Sequence, residues 1–274
     1  MTASSSACRW GAALLCACAC TKGPPEIVVG SIALALPPAL DNDAATREGV
    51  RAQVAARLAD SAGVRFAPDR RHATHRLALD VEEIVRLPGS GRELRPVRVH
   101  LAPLAGGVDL ATVGAGLPLL DVVASAITGF DDAWAVIKEE RMLTTADDRA
   151  LIASLAHPDR RVRDFVIQAL GARRARQAVS SLCERLTVEP QPELVLRIIG
   201  ALVAIGDNAA AEPLIELARD RSPALVVQIA YALGSLGGTV AEGYLVTLAS
   251  GHPLPEVREA AAAALKDLAA KPRR

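Results

Sequence analysis

The chain has 274 residues, of which 51% are hydrophobic and 23% are charged, so its composition excludes a wholly disordered protein. Its 31 basic residues balance its 31 acidic residues, and only 3% of residues are aromatic. This composition argues against a strongly basic nucleic-acid binder or a base-stacking platform, and no apolar run reaches the roughly 18 residues that a membrane-spanning helix needs.

Residues 1–20 have the pattern of an export signal. Arg9 is the only charged residue among the first nine, and an apolar stretch follows from Trp10 to Ala19. This is the length of a signal-peptide hydrophobic region and is too short for a transmembrane helix. An ordinary secretory signal and a misassigned start codon remain alternatives.

The end of this stretch, Leu15-Cys16-Ala17-Cys18, resembles the lipobox of bacterial lipoproteins. The resemblance implies cleavage before Cys18, or before Cys20 in the weaker frame, and acylation of that thiol. The residue after either cysteine, Ala19 or Thr21, is not aspartate, and for this class the expectation is then the outer membrane. Residues 21–25 are small, polar and proline-rich, as a tether would be.

Residues 26–145 predict a small α+β domain. An apolar, β-rich run and two alternating segments predict strands, Pro88 to Gly91 predicts a hairpin connection, and Asp43 predicts a helix N-terminus. The predicted elements are a strand from Ile27 to Leu36, a helix from Asp43 to about Ala62, strands at Leu77–Val81 and Val97–Leu101, a further strand at Val108–Val113, and a helix from about Leu119 to Leu143. The glycines of Gly114-Ala115-Gly116 are predicted to form a turn.

The C-terminal half is an internal repeat. An Ala-Leu pair recurs at Leu170, Leu202, Leu233 and Leu265, with spacings of 32, 31 and 32 residues. Apolar residues at positions i, i+4, i+7 and i+8 before each pair form one helical face, and a second apolar helix precedes each of these. Residues 146–270 therefore predict an all-α solenoid of about four helix pairs, whose stacking buries a continuous core.

The segment Pro255-Glu256-Val257-Arg258 resembles the short bacterial HEAT repeat that also occurs in phycobilin-lyase-like proteins. Asp159-Arg160-Arg161-Val162-Arg163 matches the same pattern, whereas the second and third units have Val195 and Val226 at the arginine position. The resemblance implies a solenoid whose second helices line a concave binding surface.

The sequence shows no catalytic motif. It lacks a His-Glu-x-x-His zinc motif, a nucleotide-binding glycine pattern and a Gly-x-Ser-x-Gly elbow. Cys183 is expected to be a buried structural thiol. We therefore expect no enzymatic activity, no metal, no cofactor, no nucleic-acid partner and no small-molecule substrate.

Polar positions on the second helices are the candidate partner-binding residues. They are Arg160, Arg161, Arg163, Arg197, Gln228 and Arg258. The first three form the only concentrated charge and are expected either to bind an acidic partner or lipid headgroups, or to be merely solvated.

These features together predict a non-enzymatic bacterial envelope lipoprotein that acts as a protein-interaction scaffold and faces the periplasm. A soluble secreted or periplasmic protein is the alternative location. An enzyme or enzyme accessory of the lyase-like type and a purely structural module of an envelope assembly are the alternative functions.

Overall fold

The computed structural model describes residues 25–40, 43–68, 72–219 and 221–270. The predicted signal, including Cys18 and Cys20, and most of the predicted tether lie outside the described residues. In the described part, a strand-rich region is followed by a run of helices, which confirms the predicted fold class.

The described N-terminal region contains one mixed sheet of six strands. The strands are β1 (Ile27–Ala35), β2 (Val64–Phe66), β3 (His75–Val81), β4 (Val85–Arg86), β5 (Glu93–Pro103) and β6 (Leu110–Gly116). β1 pairs with β2 and β3 in parallel, and β5 pairs with β3 and β6 in the antiparallel sense. β4 pairs with the start of β5, beyond the end of β3. The short strand β2 was not predicted from the sequence.

Two helices, α1 (Ala44–Ala59) and α2 (Val122–Thr144), pack on the sheet. The predicted N-cap Asp43 accepts hydrogen bonds from the backbone N–H groups of Ala45 and Thr46. Apolar residues of both helices enter the same buried core as alternate residues of β3 and β5 and Leu110 of β6, so the helices cover one face.

Gly114 and Gly116 lie within β6, so the prediction of a turn there was wrong. Both glycines face α2, and a Cβ atom at Gly114 would lie 1.8 Å from the backbone oxygen of Gly129. The glycines therefore allow the backbones of α2 and β6 to approach closely, which is a recognised role of glycine inside a strand.

The C-terminal helices form stacked pairs. They are α3 (Asp148–Ala153), α4 (Arg160–Ala172), α5 (Val179–Val188), α6 (Pro192–Ile205), α7 (Ala211–Ala218), α8 (Pro223–Leu236), α9 (Thr239–Gly251) and α10 (Pro255–Ala270). A short 3-10 turn extends α3 at Ser154–Ala156. Buried residues from all four pairs, including Leu170, Leu202 and Leu233, form one continuous core. No helix in the described ranges has both the length and the hydrophobicity to cross a membrane.

The second helices α4, α6, α8 and α10 form one layer with unequal spacing. Gly171 of α4 lies against Ala201 of α6, and Gly234 of α8 lies against Ala264 of α10. The corresponding residue of α6 is the larger Val203, and α6 contacts α8 less extensively. Residue size at this repeat position therefore accounts for the two close helix contacts and the looser one between them.

Candidate functional site

The exposed side of the second-helix layer carries two depressions. The first is a cavity of about 710 Å³ that lies between the two halves of the protein, and we call it the junction cavity. Its lining includes residues of β6, α2, α4 and α6. The second, of about 580 Å³, continues along α4 and α6 past Leu196, Gly200 and Ala204.

Two large side chains are exposed on this layer without belonging to the core. Leu196 of α6 is 47% exposed and Tyr231 of α8 is 46% exposed. A Cβ atom at Gly200, one turn after Leu196, would meet nothing within 4 Å, so the surface beside Leu196 is open. An exposed apolar side chain beside an open depression, as at Leu196, is typical of protein-binding surfaces.

Arg161 joins the two halves of the protein. Its guanidinium donates hydrogen bonds to both carboxylate oxygens of Asp132 in α2, at 2.8 and 3.0 Å, and to the backbone oxygen of Val113 in β6, at 2.9 Å. It also pairs with Asp159 at 2.7 Å, and these bonds hold the pKa of Arg161 above its ordinary value. Arg161 is thus a junction residue and not part of a free basic patch.

Arg163 is only 5% exposed, so its predicted place on the exposed polar surface was wrong. Its guanidinium forms two hydrogen bonds with the fully buried carboxylate of Glu189, at 2.9 and 3.0 Å. Burial opposes ionisation of Glu189, but hydrogen bonds from Arg163 and Arg185 hold its pKa below the usual value. The pair connects α4 to the segment that precedes α6, which belongs to the next repeat.

Arg258 occupies the matching position in the last repeat and is half-buried. Its guanidinium donates to the backbone oxygens of His252 and Pro253, at 2.7 and 2.9 Å. Arg163 makes the same two bonds to His157 and Pro158. The arginine of the repeat pattern therefore stabilises the turn between paired helices. Its guanidinium is occupied by these hydrogen bonds and is less available to bind a partner.

The other predicted binding residues are exposed, but the structure does not bring them together as one basic patch. Arg160 lines the junction cavity, and Arg197 lines both depressions while lying 3.3 Å from Asp164. Gln228 is exposed on α8. Of the three arginines expected to concentrate charge, only Arg160 is exposed, and the described residues offer it no ion-pair partner.

Glu140 was not predicted as a site residue. It lies in α2, is 5% exposed and lines the junction cavity. Burial is the main cause that raises its pKa from 4.5 to about 7; Arg161 opposes the rise, and Asp159 and Asp164 reinforce it. The only sequence signal of its burial is its spacing. Glu140 follows the core residue Ile137 by three positions and therefore lies on the same face of α2.

The described residues offer little for chemistry. Cys183 is buried in the repeat core, and burial raises the pKa of its thiol to about 11, which disfavours the nucleophilic thiolate. Within the described ranges, no three histidine, cysteine, aspartate or glutamate side chains are grouped so that they could hold a metal ion.

Comparison with known proteins connects these helices to a repeat family. A comparison with curated proteins gives no match. Residues 149–234 match the family model of HEAT repeats. This range runs from α3 into α8. The helical half of the chain therefore has HEAT-repeat character.

Proposed function

We propose that the protein is a non-enzymatic scaffold of the cell envelope that binds a partner protein on its second-helix layer. The observation that supports the proposal most directly is the open surface at Leu196 and Gly200, which continues from the junction cavity. HEAT repeats are consistent with a protein-interaction role, because stacked repeats present an extended surface.

The same surface favours binding over catalysis. The depression at Leu196 is shallow and has small, apolar neighbours, among them Gly200 and Ala204. Such a surface suits the side chains of another protein, which gain free energy when apolar area is removed from water. A lyase-like enzyme would instead need a nucleophile or an acid–base pair directed at a substrate.

Attachment to the envelope is the second part of the proposal. It is supported by the apolar stretch before Cys18 and Cys20 and by the lipobox resemblance of Leu15 to Cys18. A diacylglyceryl group on the thiol together with an acyl chain on the new amine would hold the protein on a membrane more firmly than a single chain can. Ala19 or Thr21 at the next position favours the outer membrane, with the repeats in the periplasm.

Photo-crosslinking tests the scaffold role. A photoreactive amino acid replaces Leu196 in the full-length protein, and a matched variant carries it at Val246, which is 52% exposed on α9 in the opposite layer. We expect a discrete protein adduct from position 196 and none from position 246. Adducts of equal yield from both positions, or no adduct from either, would contradict the proposal.

Metabolic labelling with a fatty-acid analogue tests the anchor. The wild-type protein should be labelled and should sediment with membranes, and either Cys18→Ala or Cys20→Ala should lose the label. An unlabelled wild-type protein that is recovered entirely in the periplasmic fraction would contradict anchoring and leave the scaffold role standing.

A further inference from the structure

β6 is an edge strand whose free side is only partly covered. On that side the backbone N–H of Ala115 donates to Asp132 at 3.0 Å, and the backbone oxygen of Val113 accepts from Arg161. Backbone groups of alternate residues point to the same side of a strand. The N–H and C=O of Ala111 therefore point away from β5, and Ala111 lines the junction cavity.

Glu140 supplies an independent observation in the same cavity. Its side chain is about nineteen-twentieths buried, yet none of the described residues forms a hydrogen bond or an ion pair with it. A largely buried carboxylate without a protein partner is costly, because it loses much of its hydration and gains no protein hydrogen bond in exchange. The cavity therefore presents a carboxylate that has no protein partner beside an unpaired strand edge.

The balance of charge around the cavity favours a cation. Among the four arginines that line it, Arg161 already pairs with two carboxylates, and Arg173 and Arg197 each pair with one, so only Arg160 has no ion-pair partner among the described residues. Glu140 and Glu193 line the same cavity and have no ion-pair partner among the described residues. Two unpaired carboxylates thus face one unpaired arginine, Arg160, which lies exposed at the rim, so one carboxylate is left for a cation from a partner.

We propose that the junction cavity binds a partner segment in extended conformation, which pairs with β6 at Ala111 and places a lysine or arginine side chain against Glu140. This inference rests on the proposed scaffold function and names the class of segment that the scaffold binds. Strand addition satisfies the backbone groups of the edge, and the basic side chain satisfies the carboxylate.

The cavity lining also suggests how such a segment would be selected. Side chains of a strand alternate between its two sides, so residues two positions from the basic one lie on the same side as it. Phe165 and Leu194 supply apolar lining in the same cavity as Glu140, so we expect apolar residues at those positions of the segment. A helix would leave the N–H and C=O of Ala111 unpaired and is disfavoured for this reason.

A displayed library of random linear 12-residue peptides, selected on the immobilised full-length protein, tests the inference. Selected sequences should share a lysine or arginine at one fixed position, with apolar residues two positions away. The synthetic consensus peptide is then titrated calorimetrically against the wild type and variants. Replacing its basic residue by norleucine should weaken binding at least tenfold.

Two pairs of variants locate the bound peptide. Glu140→Gln should weaken binding at least tenfold, whereas Glu242→Gln, an exposed change on α9, should leave it unchanged. Ala111→Pro should weaken binding to a similar extent, because it removes an outward N–H while leaving the pairing with β5 intact. Ala111→Thr keeps that N–H and should bind normally. Circular dichroism melts of each variant establish that it is folded.

Several outcomes would overturn the inference. They are a library without enriched sequences, consensus peptides without a basic residue, and binding that is unaffected by both Glu140→Gln and Ala111→Pro. If peptides bind but are blocked only by changes at Leu196, the scaffold function stands and the junction cavity is not its site. If peptides fail to bind and photo-crosslinking at position 196 also gives no adduct, the scaffold function itself is contradicted.

Discussion

Arg160, Arg161 and Arg163 lie within four residues of chain but occupy three different environments. Successive residues of an α-helix are rotated by about 100°, so neighbours in sequence face different surroundings. Arg160 faces the solvent at the cavity rim, Arg161 reaches α2 and β6, and Arg163 is buried against Glu189. Replacing all three together would therefore combine three unrelated effects.

Arg163 and Arg160 make a matched pair for a stability measurement. Arg163→Ala should lower the free energy of unfolding by about 3 kcal/mol or more, because Glu189 stays buried with only Arg185 to neutralise it. Arg160→Ala should change it by no more than about 0.5 kcal/mol, as expected for an exposed residue. Urea titrations of both variants measure the difference. Similar values would mean that the Arg163–Glu189 pair does not stabilise the stack.

Glu140 gives the stability a pH dependence of its own. Its pKa is about 7 in the folded protein against 4.5 ordinarily, so the folded state binds this proton more tightly than the unfolded state does. The resulting stabilisation is complete below about pH 4.5 and is lost as the pH rises through 7. The charged neighbours that shape this titration are Arg161, Asp159 and Asp164.

Glu140→Gln should therefore raise the melting temperature at pH 8, where the wild type must bury a carboxylate charge. At pH 5 the variant and the wild type should melt at nearly the same temperature, because both side chains are then neutral. Calorimetric scans at the two pH values provide the measurement. A variant that melts below the wild type at pH 8 but not at pH 5 would indicate that the ionised Glu140 is stabilising.

At the scale of elements, glycine decides how closely helix α2 approaches strand β6. Gly114→Ala should destabilise the protein by at least about 1–3 kcal/mol, because the new methyl group would overlap the backbone oxygen of Gly129. Gly200→Ala is the matched control, since its added Cβ meets nothing within 4 Å. That change should stabilise α6 by about 0.5–1 kcal/mol. Thermal melts of both variants provide the measurement. If Gly114→Ala melts at the wild-type temperature, the backbones of α2 and β6 do not approach as closely as described.

The repeat core is the second feature at this scale. Leu202 and Leu233 are fully buried in the two central repeats, so truncation to alanine should cost about 2–5 kcal/mol at either position. Glu216→Ala, on the exposed side of α7, should stay within about 0.5 kcal/mol of the wild type. Denaturant titrations of the three variants measure the change in the free energy of unfolding. Equal, small effects at all three positions would show that the assignment of the repeat core is wrong.

At the scale of the whole molecule, Arg161 determines whether the sheet domain and the repeats behave as one unit. Arg161→Ala removes the bonds to Asp132 and Val113 that cross the junction. Hydrogen bonds to charged groups contribute about 1.5–3 kcal/mol each, so the junction should open more often. Hydrogen exchange should then increase in β6 and at the start of α4, with little change in α10. Uniform protection in the variant would mean that apolar packing alone holds the junction.

Much of the architecture could be predicted because local patterns specify it. Three features depend only on residues that are close together in sequence. They are the repeat spacing, the prolines at the starts of α6, α8 and α10, and the capping role of Asp43. β2 could not be predicted, because three residues are too few to show an alternating pattern. Its pairing with β1 depends on a crossover through α1, which brings distant residues together.

The candidate site depended on contacts that no local pattern encodes. Sequence alone determined the helix pairs, their buried leucines and the HEAT resemblance, because hydrophobic periodicity reports which face of an element leaves water. Only the tertiary structure decided that Arg163 is buried, that Arg161 joins two halves of the protein, and that Glu140 lines a cavity beside the edge of β6. A charged residue has the same appearance in sequence whether it meets water or a distant carboxylate. Its role follows from which segments the fold brings within a few ångströms of it.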